Sequence, residues 1–403
     1  MNPVRLPSDQ DSSGRSFGDD EIAAVTEVLR SGTLTATKGE FTKRFEAAVS
    51  DMFGVEHVVS CSSGSAAVHT AVAGLNPEPG DEIITTSITD MGALTPILYQ
   101  GAIPVFADVD PVSMNVTAET IATQITSRTK AIIVTHIFGN PCQMDEIGAL
   151  ATKHGIPVIE DAAQAYLAQS RGRHVGTMGA IGCFSAQQGK HITAGEGGFV
   201  TTNDAALARR MRMFVNKAWP YGESNPDHEF IAPNYRTTEL QSAVLLAQLP
   251  KLRNHIKVRI ENAGRLSDAL KGVAGLGTPE HHAEDVHVYW RYALRVDENV
   301  IPGGPVALSK ELKFYDIAAA PRYVNKPAFR CTIFADQVTF GTSRWPFTLA
   351  QPSALDYSSE RFPGTFAGLD QVLVFPWNER MTAEHIDFLA TSITEAANKL
   401  AAG

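Results

Sequence analysis

Cysteine is scarce in this chain, with four in 403 residues, at positions 61, 142, 183 and 331, and none of them forms a CxxC pair. That argues against a disulfide framework or a cysteine-based zinc site and fits reduced thiols in a cytosolic protein. No run reaches the roughly 18 consecutive apolar residues that a membrane-spanning helix needs. The opening MNPVRLPSDQDSSGRSFGDDE is polar and lacks the apolar core of a signal peptide. A soluble, cytoplasmic protein with no membrane partner is therefore expected. A basic excess is missing too: 34 Lys and Arg against 44 Asp and Glu leave 34 − 44, or −10. Global electrostatics then speaks against a nucleic-acid partner, while leaving room for a local basic pocket. GxGxxG after an early strand is absent, which sets aside a nicotinamide-binding protein. The one cluster with metal-ligand chemistry, His281-His282 with Glu284 and Asp285, reads as a solvated loop, and no metal is expected.

What is present is organised around residues 181–204, IGCFSAQQGKHITAGEGGFVTTND. Two apolar, strand-like runs flank a loop of glycines and short polar residues that carries one lysine, Lys190. A lysine among glycines between two buried strands is poorly placed for a surface charge and well placed to meet something brought close to the backbone. A second stretch, IPVIEDAAQAY from Ile156 to Tyr166, reads as a buried strand ending in two carboxylates. The carboxyl ends of parallel strands are where open α/β sheets bind ligands. Asp161 and Lys190 together are the pair that pyridoxal phosphate (PLP) requires: an amine for the Schiff base and an acid opposite the pyridine nitrogen. A third stretch, VEHVVSCSSGSAAVHTAVAGL, runs strand, Ser62-Ser63-Gly64-Ser65, helix. This layout aims backbone N–H groups and a positive helix end at an anion, although a plain serine N-cap has the same pattern.

Along the chain, residues 1–17 are rich in Ser, Asp, Pro and Gly and are expected to form a loosely held arm. From Gly18 the pattern turns helical, with a second helix over roughly 40–53. Strand-like runs at 81–87, 102–110, 131–139 and 156–162 then alternate with helical segments such as 144–154. Near-continuous Val and Ile runs between helices predict a mostly parallel sheet covered on both faces. A helix is expected over 204–219, and a long helical stretch interrupted at Pro250 places a boundary near Leu249. The chain is thus expected to divide into the arm 1–17, a large α/β domain 18–249 and a smaller α+β domain 250–403. In the last, 286–296 and 370–377 read as strands and the C-terminal residues as an amphipathic helix.

These residues resemble the DegT/DnrJ/EryC1/StrS sugar aminotransferases, within the PLP-dependent transferase fold of the aspartate aminotransferase type. The resemblance is carried by SSGSAAV (62–68), ADVDP (107–111), FGNPCQMD (138–145), PVIEDAAQA (157–165), residues 182–204, NYRTTELQSA (234–243) and FPWNERMTAEHI (375–386). It implies that Lys190 is the Schiff-base lysine and Asp161 the partner of the pyridine nitrogen. It further implies that Gln164 lies beside the cofactor ring and that Ser185, Gly64 and Ser65 hold the phosphate. Asn234 would reach the site of a neighbouring subunit, giving a homodimer with shared active sites. The implied reaction moves an amino group from glutamate or glutamine to a keto sugar or keto cyclitol, through the PLP and pyridoxamine phosphate (PMP) forms of the cofactor. Alternatives are a PMP-dependent sugar dehydratase, whose relatives replace the lysine with histidine, or a catalytically silent regulatory homologue. The family's aromatic over the cofactor ring has no counterpart here. Asp90 and Met91 follow Ser87-Ile88-Thr89, so either Met91 covers the ring or the register differs. His191, Tyr235, Tyr289, Trp290, Arg322 and Tyr323 are candidate contacts to the amino acceptor.

Overall fold

The computed structural model describes residues 4–402; the first three residues of the expected arm and the last residue of the expected small domain lie outside the described residues. The chain opens with helices α1 (Asp19–Ser31) and α2 (Phe41–Phe53). Helix α2 has no side-chain cap of its own. Glu239, from 197 residues downstream, accepts from the N–H of Thr42 at 3.0 Å and from that of Phe41 at 2.7 Å. A long-range carboxylate thus answers the positive end of this helix.

Seven strands build the main sheet: β1 (His57–Cys61), β2 (Glu82–Thr86), β3 (Ile103–Ala107), β4 (Thr129–Thr135), β5 (Val158–Asp161), β6 (Ile181–Ser185) and β7 (Gly198–Thr202). Their order is β1-β7-β6-β5-β4-β2-β3. The pairs from β3 through β6 are parallel, and β7 alone reverses, pairing antiparallel with β6 and β1. Adjacent residues of one strand enter different cores, as the pleat requires. Ile84, Ile132 and Val158 join one apolar cluster, whereas Ile83, Ile133 and Ile159 join another with Val68 and Val72 of helix α3 (Gly64–Leu75). Sequences apolar on both faces are what a covered parallel sheet demands. Helix α4 (Met144–His154) covers the first face, and α5 (Ala205–Val215) packs beside α3 on the second. Helix α5 stops four residues short of the expected 219. Lys217 and Ala218 turn to φ 63° and 56° there, a region that an α-helix cannot use.

The interruption at Pro250 is a single 3₁₀ turn between α6 (Glu239–Gln248) and α7 (Leu252–Leu270). Along α7 the packing changes core: Leu252 and Ile256 join Phe184 and Phe199 of β6 and β7, while Ala263, Leu266 and Leu270 join a second core. That second core lines a four-stranded antiparallel sheet in the order β8-β9-β11-β10, formed by β8 (Leu276–Gly277), β9 (Arg291–Val296), β10 (Ala320–Pro321) and β11 (Val372–Pro376). Helix α8 (Ala383–Ala401) closes it with Ile386, Leu389 and Ile393. The other face of β11, Val372 and Val374, packs into the core of the large sheet. The expected fold class is therefore the one observed.

Two further expectations change. The strand expected over 286–296 is shorter because Tyr289 adopts φ 48°. The flanking N–H groups of Val288 and Trp290 instead donate to the carbonyls of Gly139 and Phe138 at 3.0 and 2.7 Å. The N-terminal arm, expected to be loose, is pinned. Asp9 and Arg15 are 6% and 5% exposed, and Val4 and Leu6 pack on the second core.

Candidate active site

Lys190 occupies the loop between β6 and β7, where the sheet reverses direction. The carboxyl ends of β1, β2, β5 and β6 converge there on a cavity of about 470 Å³. Its lining includes Ser63, Gly64, Ser65, Asp90, Asp161, Gln164, Ser185, Gln187, Lys190, Glu196, Trp290 and Tyr323. Six of the seven residues expected at the site are thus brought together. Asn234 is not: it is exposed, and its side-chain oxygen accepts from the N–H of Arg236 at 3.3 Å.

One end of the cavity is a cradle. Ser63 caps α3, accepting from the N–H of Ala66 at 3.0 Å. The helix itself offers no partner to the N–H groups of its first residues, Gly64 and Ser65. A side chain at Gly64 would collide with Ser185, because a Cβ there would lie 2.5 Å from the Ser185 Cβ. A Cβ at Gly92 would meet the Ser65 hydroxyl at 2.1 Å. Glycine at both positions leaves the hydroxyls of Ser65 and Ser185 free to converge with unspent N–H donors, which is an anion site.

The two carboxylates that end β5 point to opposite faces and do different work. Glu160 is saturated. It accepts from Gly176, Met178 and Gly179 N–H groups at 2.8, 2.7 and 2.6 Å and pairs with His136 Nε2 at 3.1 Å. Burial would raise its pKa, but these partners outweigh burial and hold it below the usual carboxylate value. Asp161 is 6% exposed and accepts one hydrogen bond among the described residues, from the N–H of Ala163 at 3.1 Å. Burial pushes its carboxyl up. A buried acid with lone pairs to spare is arranged to receive a protonated nitrogen from a ligand.

Lys190 is half-buried. Burial pushes its ammonium down to about 8, against the pull of Asp161 and with added repulsion from Arg291. Its Nζ lies 4.3 Å from the centroid of the Trp290 ring. The Trp290 indole N–H in turn donates to the carbonyl of Gly189 at 2.7 Å. Gln164 is oriented from both ends, its oxygen accepting from the N–H of Phe138 at 2.7 Å and its nitrogen donating to Tyr323 Oη at 3.2 Å. Burial pushes the Tyr323 hydroxyl up to about 12.

Of the candidate acceptor contacts, Trp290 and Tyr323 line the cavity and the other four are elsewhere. His191 is buried with Nε2 3.4 Å from the Val288 carbonyl, and Tyr235 bonds His69 Nδ1 at 3.0 Å. Tyr289 stacks on His287 at 3.9 Å, and Arg322 pairs with Asp370 at 2.7 Å. Met91 also turns away, packing beside Leu94 and Phe106, while Asp90 and Gly92 face the cavity. Glu196 and Gln187 were missed by sequence reasoning. Glycines on both sides of Glu196 are the signal that could have exposed it. In the 281–285 cluster, Asp285 is not solvated but buried, accepting from Gln143 Nε2 at 2.7 Å and the N–H of Arg171 at 3.0 Å.

The model of the DegT/DnrJ/EryC1/StrS aminotransferase family matches residues 15–394. The chain belongs to that family. It is 40% identical over 281 residues, 69% of its length and 74% of the relative's, to the UDP-N-acetyl-3-dehydro-alpha-D-glucosamine 3-aminotransferase of Acidithiobacillus ferrooxidans. It is 34% identical over 329 residues, 76% of each chain, to the L-glutamine:2-deoxy-scyllo-inosose aminotransferase of Streptomyces fradiae. In three dimensions it superposes on the aminotransferase from Psychrobacter cryohalolentis with a TM-score of 0.85, at 28% identity, covering 96% of this chain and 98% of the other. As a DegT/DnrJ/EryC1/StrS aminotransferase, the protein catalyses amino-group transfer, and its fold is that of its solved relatives.

Proposed function

We propose that this aminotransferase uses PLP and PMP to carry an amino group from glutamate or glutamine to a keto sugar, nucleotide-linked, or to a keto cyclitol. The reading extends to this chain the sugar-nucleotide and cyclitol substrates named for its relatives. The single observation that carries the cofactor assignment is the meeting, in one cavity, of Lys190, the under-partnered Asp161 and the glycine-cleared cradle at Ser63–Ser65.

When bound, PLP supplies an electron-accepting ring that makes the proton on the substrate's nitrogen-bearing carbon acidic and stores the amino group between half-reactions. Asp161, ionised, would face the ring nitrogen and hold a proton there. The N–H groups of Gly64 and Ser65, with the hydroxyls of Ser65 and Ser185, would hold the phosphate. Gln164, fixed by Phe138 and Tyr323, would lie beside the ring. Lys190 Nζ, neutral above about pH 8, would serve as the base that takes the proton from the substrate carbon. Trp290 walls off water on that side.

Asn234 reaches the phosphate of a second copy in this reading, making a homodimer with shared sites. Its exposure, three residues after the fully exposed Ile231 (99%), supports this. We divide the chain into the arm 1–17, the large unit 18–249 and the small unit 250–403. A cytoplasmic location accords with helices none of which, among the described residues, is long and apolar enough to cross a membrane. The test is the absorbance of the purified protein with PLP, before and after glutamate or glutamine, beside a Lys190→Ala variant. A visible band that the donor bleaches and the variant lacks supports the reading. A wild type that stays colourless with PLP defeats it.

A further inference from the structure

We propose that the N-terminal segment 9–15 is a positioning element for Lys190, clamping the lysine loop from behind and holding Trp290 against the amine. The proposal rests on Lys190 being the reactive amine. Three consecutive loop residues are tied from outside the loop, two of them by the arm. Arg15 Nη1 donates to the Lys190 carbonyl at 2.9 Å, Gln188 Nε2 donates to the Asp9 carbonyl at 2.8 Å, and Trp290 takes the Gly189 carbonyl. Arg15 Nε also donates to the Asp9 carbonyl, at 3.0 Å, which closes a ring through both arm residues.

The Asp9 carboxylate is the knot of this clamp. It lies 3.2 Å from Arg15 Nη2, accepts from Arg291 Nη1 at 2.8 Å and accepts from Asn378 Nδ2 at 2.5 Å. Asn378 also donates to the Gly14 carbonyl at 2.9 Å. Gly14 must be glycine for the turn to close, since a Cβ there would lie 2.2 Å from the Ser8 oxygen and 2.6 Å from Asn378 Nδ2. Arg291, anchored by Asp9, lays its guanidinium 4.3 Å from the Trp290 ring centroid, and Lys190 Nζ lies 4.3 Å from the same centroid. The arm therefore reaches the amine by two routes, one through the Lys190 backbone and one through Arg291 and Trp290. A largely buried network that ties each arm residue at two or more points is stiff, although Arg15 Nη2 makes an ion pair with Asp9 without a hydrogen bond, and a misplacement of about 1 Å at a reactive group is enough to slow chemistry. Asp161, Asp90 and Arg291 act on the charge of Lys190, and Glu196 joins them in the wall. Of these, Arg291 is the one that Asp9 touches.

The experiment follows capture of PLP by the intact protein: the lysine amine condenses with the aldehyde, releasing water, and borohydride reduction fixes the bond for mass spectrometry at Lys190. Wild type, Arg15→Met, Arg15→Lys, Asp9→Asn and the exposed control Arg5→Ala are compared, with folding checked by circular dichroism. Arg15→Met and Asp9→Asn are expected to slow capture by about tenfold, shift the pH midpoint of capture, and lower kcat with KM little changed. Arg15→Lys keeps the charge but lacks the planar fork whose separate Nε and Nη1 reach the two carbonyls, so it is expected to recover less than half of the loss. Arg5→Ala is expected to match wild type. Should Arg15→Met or Asp9→Asn fail to fold, Gln188→Ala removes one strut and is expected to slow capture by about threefold. Capture and midpoint unchanged within about twofold in Arg15→Met and Asp9→Asn, or full recovery by Arg15→Lys, overturn the proposal and leave the function standing. No adduct at Lys190 in the wild type overturns both.

Discussion

The two sides of the Lys190 cavity are built on opposite plans. On one side, residues 63–65, 161–164 and 185–190 come from short contiguous segments at the carboxyl ends of β1, β5 and β6. Strand termini fix their direction, and glycines clear the space. On the other side, Trp290 and Tyr323 arrive from distant parts of the chain. Each depends on a residue forced to positive φ: Tyr289 at 48° before Trp290, and Tyr323 itself at 54°. In the proposed function the first side carries the groups that the chemistry requires and the second carries bulk that encloses it, a division that would separate the reaction common to a family from the choice of acceptor.

If that contrast is right, substitutions on the first side should abolish turnover or cofactor retention, and those on the second should change them far less. Lys190→Ala removes the only lysine in the cavity lining among the described residues and is expected to cost about 10⁴-fold or more in the half-reaction with the amino donor. Stopped-flow spectroscopy measures it; a loss under about 100-fold would mean that another base acts and that the contrast fails. Asp161→Asn preserves size and the Ala163 contact but removes the negative charge. About 10²- to 10³-fold in kcat is expected, with Glu160→Gln instead lowering thermal stability, because it loosens the 176–179 turn. Equal effects of the two substitutions on kcat would erase the distinction between these neighbouring acids.

The cradle offers a steric test. In Gly64→Ala the new methyl would sit 2.5 Å from the Ser185 Cβ, so either the helix start or Ser185 must move. Overpacking of this kind costs about 1–3 kcal/mol; borne by the cofactor-bound form, that is about five- to 150-fold in the dissociation constant for PLP. Fluorescence titration of the apoprotein checks it. Unchanged affinity would place the phosphate elsewhere.

The same contrast explains what was legible in the sequence. Lys190, Asp161, Gln164, Ser185, Gly64 and Ser65 stand in segments whose local chemistry is complete over a few residues, so strand, turn and glycine pattern sufficed. The parallel sheet was legible because its strands are apolar on both faces. Asp9 and Arg15 were not, because nothing within residues 1–17 reveals that Arg291 and Asn378 supply the partners of Asp9 or that the distant Lys190 carbonyl receives Arg15. His191, Tyr289 and Arg322, expected as acceptor contacts, do not line the cavity, for the converse reason. An aromatic or cationic side chain carries no local mark of whether it faces a cavity, a core or a carboxylate such as Asp370. Chain reversals at positive φ, as at Tyr289, are set by tertiary hydrogen bonds that no periodicity records.

The smallest expected effect lies at the seam between the two sides, where Trp290 meets Lys190. The lysine ammonium falls to about 8, with burial as the leading cause. The neutral amine, which is the form that attacks an aldehyde, therefore accumulates as pH rises through about 8, well below the value of a free lysine. Capture of PLP should climb with pH to that point and then level. Trp290→Ala changes two opposing influences. Losing the ring removes a cation–π contact that favours the charged amine, worth about 0.5–2 kcal/mol, and so tends to lower the midpoint further. Admitting water relieves the desolvation that depressed the pKa, and so tends to raise it. Since desolvation heads the causes and already prevails over the attraction of Asp161, the second effect is the larger. The midpoint should move up, by less than about one pH unit once the lost contact is subtracted. A rate-versus-pH series on wild type and Trp290→Ala decides the sign. A downward shift would show that the ring acts chiefly through its electrons rather than by excluding water, and that Trp290 belongs with the chemistry of the first side.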